Sequence, residues 1–457
     1  MSNGLDLGLR AQAAAIAAGD VDPGELLEAT LTRIEERNPA LNAVIETFPE
    51  RSREMLAAAP EGPLYGVPIV IKDEWPLPWR AQRFGAAELM VPTAPAESGP
   101  YRALRDAGAV IVGVGNMHEL GAGSTGNTSV YGPARNPWNT ERCPGGSSSG
   151  PAASVAGRLV AGAVGADGLG SVRFPAAYCG LTGLKPTFGR SAMDGHHMAP
   201  VTTLIVSGPL CADAGDCRLL GSVLYGEKLA AGETTGLRIG VVRDTVSEDV
   251  TPEVAEACDA AVEALRAETG GEVREVELPG LDPATLAAIL IINSESMAGT
   301  TPERLNKLNP ELSPLARGSL KYRMLLPAAA TTQATRVRTL MRRRLAALFS
   351  EVDVIAWPTI PAPAPPLDAP MVELPSGTTT ADQANVRGAA LANLTGIPSI
   401  SMPVGLSDEG LPIALQLQGA WGTDELLLDV AEALERANER RWVESLPPLA
   451  ETSPTEA

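Results

Sequence analysis

From Leu64 onward the chain alternates between two hydrophobic patterns. Short apolar runs at 67–71, 109–113 and about 160–165 are separated by helix-length segments at 98–107 and about 151–160. Runs this short suit strands buried on both faces, and the longer segments suit helices packed over them. The alternation predicts an α/β fold with helices covering a sheet. Strand-like runs return at 238–242, 354–357, 399–403 and 413–418, and a long helix is expected over 424–439. Before the alternation begins, residues 6–60 read as helical. Asp22-Pro23-Gly24-Glu25 forms a capping box with proline at the first helical position, and Leu26, Leu27, Thr30, Leu31 and Ile34 follow at helical spacing. This gives an N-terminal helical segment over 1–60, packed on a core that spans 61–457. Two stretches break the rhythm. Residues 281–333 read as helix and loop without strands, and 358–375 is rich in proline. The proline-rich stretch is too apolar for a linker, so an ordered loop over the sheet is expected. Residues 449–457 read as frayed, and no internal repeat is present.

With 44% apolar but only 4% aromatic residues in 457, the core must be built mainly of Ala, Val, Leu and Ile. A net charge of −19 argues against a nucleic-acid partner, which needs clustered Lys and Arg. The one basic cluster (Arg336, Arg338, Arg342, Arg343, Arg344) reads as a solvated helix face, with Leu340, Leu345 and Leu348 toward the core. The five cysteines are scattered without a CxxC pair. Neither zinc nor a disulfide framework is expected, and a reducing cytoplasm fits. No signal peptide is read at the N-terminus, and no apolar window is long enough to span a membrane.

Three small-residue settings carry the chemistry. They are Gly66-Val67-Pro68-Ile69-Val70-Ile71-Lys72-Asp73, Pro144-Gly145-Gly146-Ser147-Ser148-Ser149-Gly150, and Asp167-Gly168-Leu169-Gly170-Ser171-Val172-Arg173-Phe174-Pro175. As phosphate cradles they fail, because no Lys-Ser/Thr follows the last glycine. The nearest dinucleotide fingerprint, from Gly113 to His118, lacks its final glycine. Gly146-Ser147-Ser148-Ser149-Gly150 spells a nucleophile elbow around Ser148. Its base would be His118, His196 or His197, and that fold places its histidine late in the chain, where none follows 197. A lysine base remains. An ordinary lysine is neutral only about once in a few thousand at pH 7. Burial at the end of an apolar strand disfavours the charged form, the known route to a basic lysine.

The run 136–190 resembles the signature segment of the amidase signature family. The resemblance rests on Asn136-Pro137-Trp138, Pro144-Gly145-Gly146-Ser147-Ser148, Gly170-Ser171-Val172-Arg173-Phe174-Pro175-Ala176, Cys179-Gly180, and Gly183-Leu184-Lys185-Pro186-Thr187-Phe188-Gly189-Arg190. It continues at Lys72-Asp73, at Asn393-Leu394-Thr395-Gly396-Ile397-Pro398 and at Gly410-Leu411-Pro412, thinning over about 270–350, where a variable helical or loop insertion is expected. The resemblance implies one large domain with a central mixed sheet and helices on both faces. It also implies that Lys72 is the base and that Ser147, after a cis bond from Gly146, relays protons. Ser171 would be the nucleophile, and the N–H groups of Gly168, Leu169, Gly170 and Ser171 would hold the oxyanion. Ser148, Asp167 and Arg173 would support the loops; the last two read as an ion pair, the alternative being a contact of Arg173 with a substrate carboxylate. Thr125, Asn127 and Asn136 would fix loops, and Cys143 and Cys179 would be packing residues.

The chain departs from the family pattern at Leu169, where glycine is usual, at Ser149 and Pro151, at 74–79 and at 194–198. Leu169 would reshape the pocket, 74–79 the entrance, and 190–205 would line the acyl side. The resemblance implies a stand-alone hydrolase of small amides, carbamates or esters, monomer or homodimer, without metal or cofactor. A urethanase-like subgroup is the narrower expectation. The alternatives are the glutaminase subunit of a tRNA amidotransferase and an inactive binding protein on the same scaffold.

Overall fold

The structure is a computed structural model that describes residues 4–86, 96–194, 203–244, 248–297 and 312–438. Its strands are β1 (Val44–Thr47), β2 (Pro68–Lys72), β3 (Val110–Gly115), β4 (Gly162–Asp167), β5 (Thr182–Lys185), β6 (Val206–Cys211) and β7 (Arg238–Val242). They continue with β8 (Glu272–Val276), β9 (Val354–Pro358), β10 (Met371–Leu374), β11 (Gly377–Thr380), β12 (Ser399–Leu406) and β13 (Pro412–Gly419). One sheet holds them in the order β1-β3-β2-β4-β6-β5-β12-β13-β9-β7-β8, and β10 and β11 form a separate hairpin. β2 runs parallel to β3 and β4, and β7 runs parallel to β8 and β9. The remaining pairs are antiparallel, so the sheet is mixed as expected.

Both faces of the sheet are buried, and strand alternation decides which residue goes where. Ile69, Ile71 and Ile111 join a core with Leu9, Leu26, Leu220 and Leu428 from helices on one face. Val70, Val110, Val112 and Ala163 join Ala152, Ala153 and Val155 on the other. A third cluster sets Ile355 and Trp357 against Ala287, Ile291, Leu391 and Leu394. The runs at 67–71 and 109–113 read as continuous apolar because neither side meets water.

Several expectations need correcting. The N-terminal segment holds the expected helices Leu9–Ala18, Pro23–Leu41 and Pro49–Ala57, but Val44–Thr47 between the last two is an edge strand. Four residues, two of them exposed, give no period to read. The proline-rich stretch is ordered as expected, with Ile360 and Ala364 packed in one cluster with Ala414 of β13 and with Phe174, Ala177 and Tyr178. It packs on the 141–143 segment, where Cys143 N–H donates to Pro365 O at 2.9 Å, and it ends in the β10–β11 hairpin. In helix Ala328–Glu351 the buried residues are Ala334, Met341 and Leu345, and Leu340 is exposed. The insertion contains helices Leu281–Ser296 and Pro314–Arg323 and no strand among the described residues. The frayed tail expected at 449–457 lies outside the described residues, as do His196 and His197. All five cysteines are free and buried. Among the described residues, no helix is long and apolar enough to cross a membrane.

Candidate active site

Lys72 is the last residue of β2, and alternation places it on the Val70 face, beneath helix Ser149–Ala156. Its Nζ donates to Ser147 Oγ at 2.9 Å and to the Ala166 carbonyl, on the neighbouring strand β4, at 3.3 Å. A third neighbour was not foreseen from sequence. Glu74 Oε2 lies 2.6 Å from Nζ, with the two side chains 1% and 7% exposed. The turn that follows the strand brings it there, closed by Trp75 N–H donating to Lys72 O at 3.0 Å. Asp73 faces away and pairs with Arg80 at 2.6 Å while accepting from Gly85 N–H at 2.8 Å, which pins the segment after β2.

Ser147 follows a cis peptide bond from Gly146, as the resemblance implied. Ser148 N–H donates to Ser171 O at 3.2 Å, and Ser148 Oγ both gives to and takes from Ala166 at 3.3 Å. Ser148 therefore ties the two serine loops to β4. Gly170 sits at φ +116°, and a Cβ there would lie 2.3 Å from Phe174 Cζ, so the loop before Ser171 needs glycine at this position.

Asp167 and Arg173 form a fully buried pair, Nε to Oδ2 3.1 Å. All five Arg173 donors are spent within the protein, on Asp167, Ala389 O, Gln416 and Asn393. Arg173 thus holds the loop and has nothing left for a substrate. Burial alone would raise the Asp167 carboxyl, but the Arg173 guanidinium outweighs it and holds it well below the usual carboxylate range. Asp167 also takes the Gly170 N–H at 2.7 Å and the Val172 N–H at 3.2 Å. The four-donor oxyanion set is therefore reduced, because Gly170 is committed. Among the described residues, no protein acceptor takes the N–H of Gly168, Leu169 or Ser171. Ser171 Oγ makes no side-chain hydrogen bond among them either.

Lys72, Glu74, Ser147 and Ser171 share one cavity of about 300 Å³. Leu169, Ile205, Ile289, Ile292 and Val386 are among its apolar lining residues, and Asp382 and Arg323 among its charged ones. A larger open groove of about 1150 Å³ runs between 188–194 and 215–229 and contains none of the three relay residues. The three motifs of the sequence thus meet at one place, and the family model for amidases matches residues 25–428.

The chain belongs to the amidase signature family. A glutamyl-tRNA(Gln) amidotransferase subunit of Methylococcus capsulatus is 34% identical over 91% of this chain and 93% of its own. A solved structure described as an amidase superposes with TM-score 0.87 at 30% identity, covering 94% of this chain and 99% of that one. The 6-aminohexanoate cyclic dimer hydrolase, solved with its substrate, superposes at 0.84 with 27% identity, covering 96% and 98%.

Membership supports carbon–nitrogen hydrolysis as the chemistry of this chain. Its cavity draws one residue from the altered stretch at 74–79 (Glu74) and one from 190–205 (Ile205). The insertion supplies Ile289, Ile292, Ser296, Ser319 and Arg323. Sequence reasoning missed Glu74, Arg323 and Asp382. Glu74 lies in the turn beyond β2, where strand alternation no longer applies, and the other two come from distant helices and left no local signal. Among the described residues, no cluster of His, Cys, Asp and Glu could hold a metal ion.

Proposed function

We propose that this amidase hydrolyses small amides and carbamates, and esters by the same route, through an acyl-enzyme on Ser171. The observation carrying the reading is the buried Lys72–Ser147 contact of 2.9 Å, opening onto the cavity that also holds Ser171. In this mechanism Ser171 Oγ attacks the carbonyl carbon and gives its proton to Ser147, whose own proton passes to Lys72. The N–H groups of Gly168, Leu169 and Ser171 hold the oxyanion. The proton returns through Ser147 to the leaving nitrogen as the C–N bond breaks, and water then releases the acyl group. No cofactor enters the scheme.

The cavity supports a short, largely apolar substrate that carries a charge. Arg323 Nη1 donates to Ser296 Oγ at 3.1 Å, its buried Nε has no acceptor, and no carboxylate pairs with it among the described residues. A substrate carboxylate would supply that partner. Arg323→Met is then expected to raise KM for carboxylate-bearing amides roughly tenfold to a hundredfold, the worth of a charged hydrogen bond. KM for neutral amides should stay near wild type. Equal changes for both substrates would remove Arg323 from recognition.

A second reading, a glutaminase component of an amidotransferase, is favoured by the relatives of that name at 32–34% identity. Glutamine carries both an amide and a carboxylate, so the cavity suits it also. The test is the purified chain alone, offered aryl amides, carbamates and glutamine, with an organophosphorus serine probe beside it. Turnover of amides or carbamates, with labelling lost in Ser171→Ala, supports the hydrolase. Turnover only with partner proteins, glutamine and ATP supports the amidotransferase component, and an unlabelled wild type removes both.

A further inference from the structure

We infer that Glu74 is a positioning residue of the reaction: its carboxylate orients the Lys72 lone pair toward Ser147 and carries the counter-charge of the ammonium that forms there. The inference rests on the reading of Lys72 as the base.

The tetrahedral nitrogen sets the geometry. Besides its bond to carbon, Lys72 Nζ has three directions; two carry hydrogen bonds, to Ser147 Oγ at 2.9 Å and to Ala166 O at 3.3 Å, and Glu74 Oε2 lies against the nitrogen at 2.6 Å as a charge contact. A backbone carbonyl and an ionised carboxylate only accept hydrogen bonds, whereas a hydroxyl can donate or accept. A neutral amine has two N–H groups and one lone pair. Ala166 O takes one proton, and the Glu74 carboxylate repels the lone pair, so the lone pair is favoured toward the Ser147 hydroxyl. When the Ser147 proton crosses to Nζ, the resulting ammonium already has a carboxylate in contact with it.

The same carboxylate offsets the charge that appears. Nζ gains a full positive charge in a buried site, where a fixed opposite charge in contact counts for more than in water. This is the role an aspartate has toward histidine in serine hydrolases, holding the base in one orientation and stabilising its charged form. Other charged groups face the pair from the elements around it. His118, on the loop after β3, is held below its ordinary value chiefly by burial, with Asp382 and Glu119 opposing and Lys72 assisting. Asp382 and Arg323 also line the cavity, and Asp73 is spent on Arg80. The Asp167 carboxylate beyond Ala166 is spent on Arg173.

The experiment is kcat/KM against pH for wild type, Glu74→Gln and Glu74→Asp on one chromogenic amide, with serine-probe labelling and thermal melts of each. Glutamine keeps the size but loses the charge, and its N–H groups compete for the lone pair. Glu74→Gln is expected to lower the plateau roughly tenfold to a thousandfold, within the range of general-base effects. Its acid limb should move to lower pH by about one unit, because a neighbouring negative charge favours the protonated pair. Glu74→Asp should keep the wild-type limb and recover part of the rate. A Glu74→Gln enzyme within about twofold of wild type and with an unmoved limb overturns the inference. So does a loss of rate without any limb shift that Glu74→Asp fails to relieve, the pattern of a merely structural pair. Wild type that neither turns over nor labels removes the base reading, and the inference with it.

Discussion

Lys72→Met is expected to lower kcat at least about a thousandfold with little change in KM, because the lysine handles a proton and does not bind the acyl group. Methionine fills much the same space but offers no lone pair, so Ser147 has nowhere to send its proton. The variant also takes from the buried Glu74 carboxylate its contact with the lysine nitrogen. Loss of a polar partner at a buried group costs about 1–3 kcal/mol or more, so a fall in rate alone could reflect a damaged fold. The double variant Lys72→Met/Glu74→Gln resolves this. With no charge left unpaired it should melt near wild type, yet it should remain as inactive as the single variant. Single-turnover kinetics and melts on the three proteins check the point. Turnover within about tenfold of wild type in the stable double variant would place the base elsewhere, since a general base contributes at least a hundredfold.

The elements legible in the sequence are those whose pattern local physics dictates. β2 and β3 are apolar on both sides, and their ends fell within a residue or two of expectation. Lys72, Ser147 and Ser171 stood out because each stands in an unusual setting of small residues, and the structure brings Lys72 and Ser147 to 2.9 Å. β6 was not legible, since Val206–Cys211 contains both glycine and proline and becomes a strand only by pairing with β4 and β5. β8 was hidden for the opposite reason: it is a charged edge strand, the composition that protects a sheet edge from unwanted pairing. The expected Gly170 donor was lost to Asp167, whose side-chain direction no spacing rule reveals. Glu74 read as part of a changed entrance because a carboxylate two residues beyond a strand end points wherever the turn sends it. Arg323 and Asp382 lie far apart in sequence, and only packing of the insertion against helix Ala381–Thr395 brings them to one cavity.

Arg173→Met is expected to destabilise the protein by about 3–5 kcal/mol at neutral pH, the cost of leaving a buried charge unpaired. The sign of its pH dependence separates this cause from simple loss of packing. In wild type the Asp167 carboxyl is held below its ordinary value, so its contribution is present above about pH 4 and lost only as pH falls further. Without Arg173 the burial effect dominates, and the folded carboxyl binds its proton more tightly than the unfolded one. Between those two values the folded state holds the extra proton, so stability falls as pH rises. Lys185, which burial and then Arg173 pull down to about 7, regains part of its charge in the variant and offsets a fraction of the loss. The deficit against wild type should therefore be larger at pH 7.5 than at pH 5 in urea unfolding. Arg173→Met/Asp167→Asn, with no Asp167 carboxylate left to bury, should recover most of the stability and lose the part of the pH dependence that comes from Asp167. A deficit below about 1 kcal/mol, or one that does not grow with pH, would mean that the pair contributes only its packing.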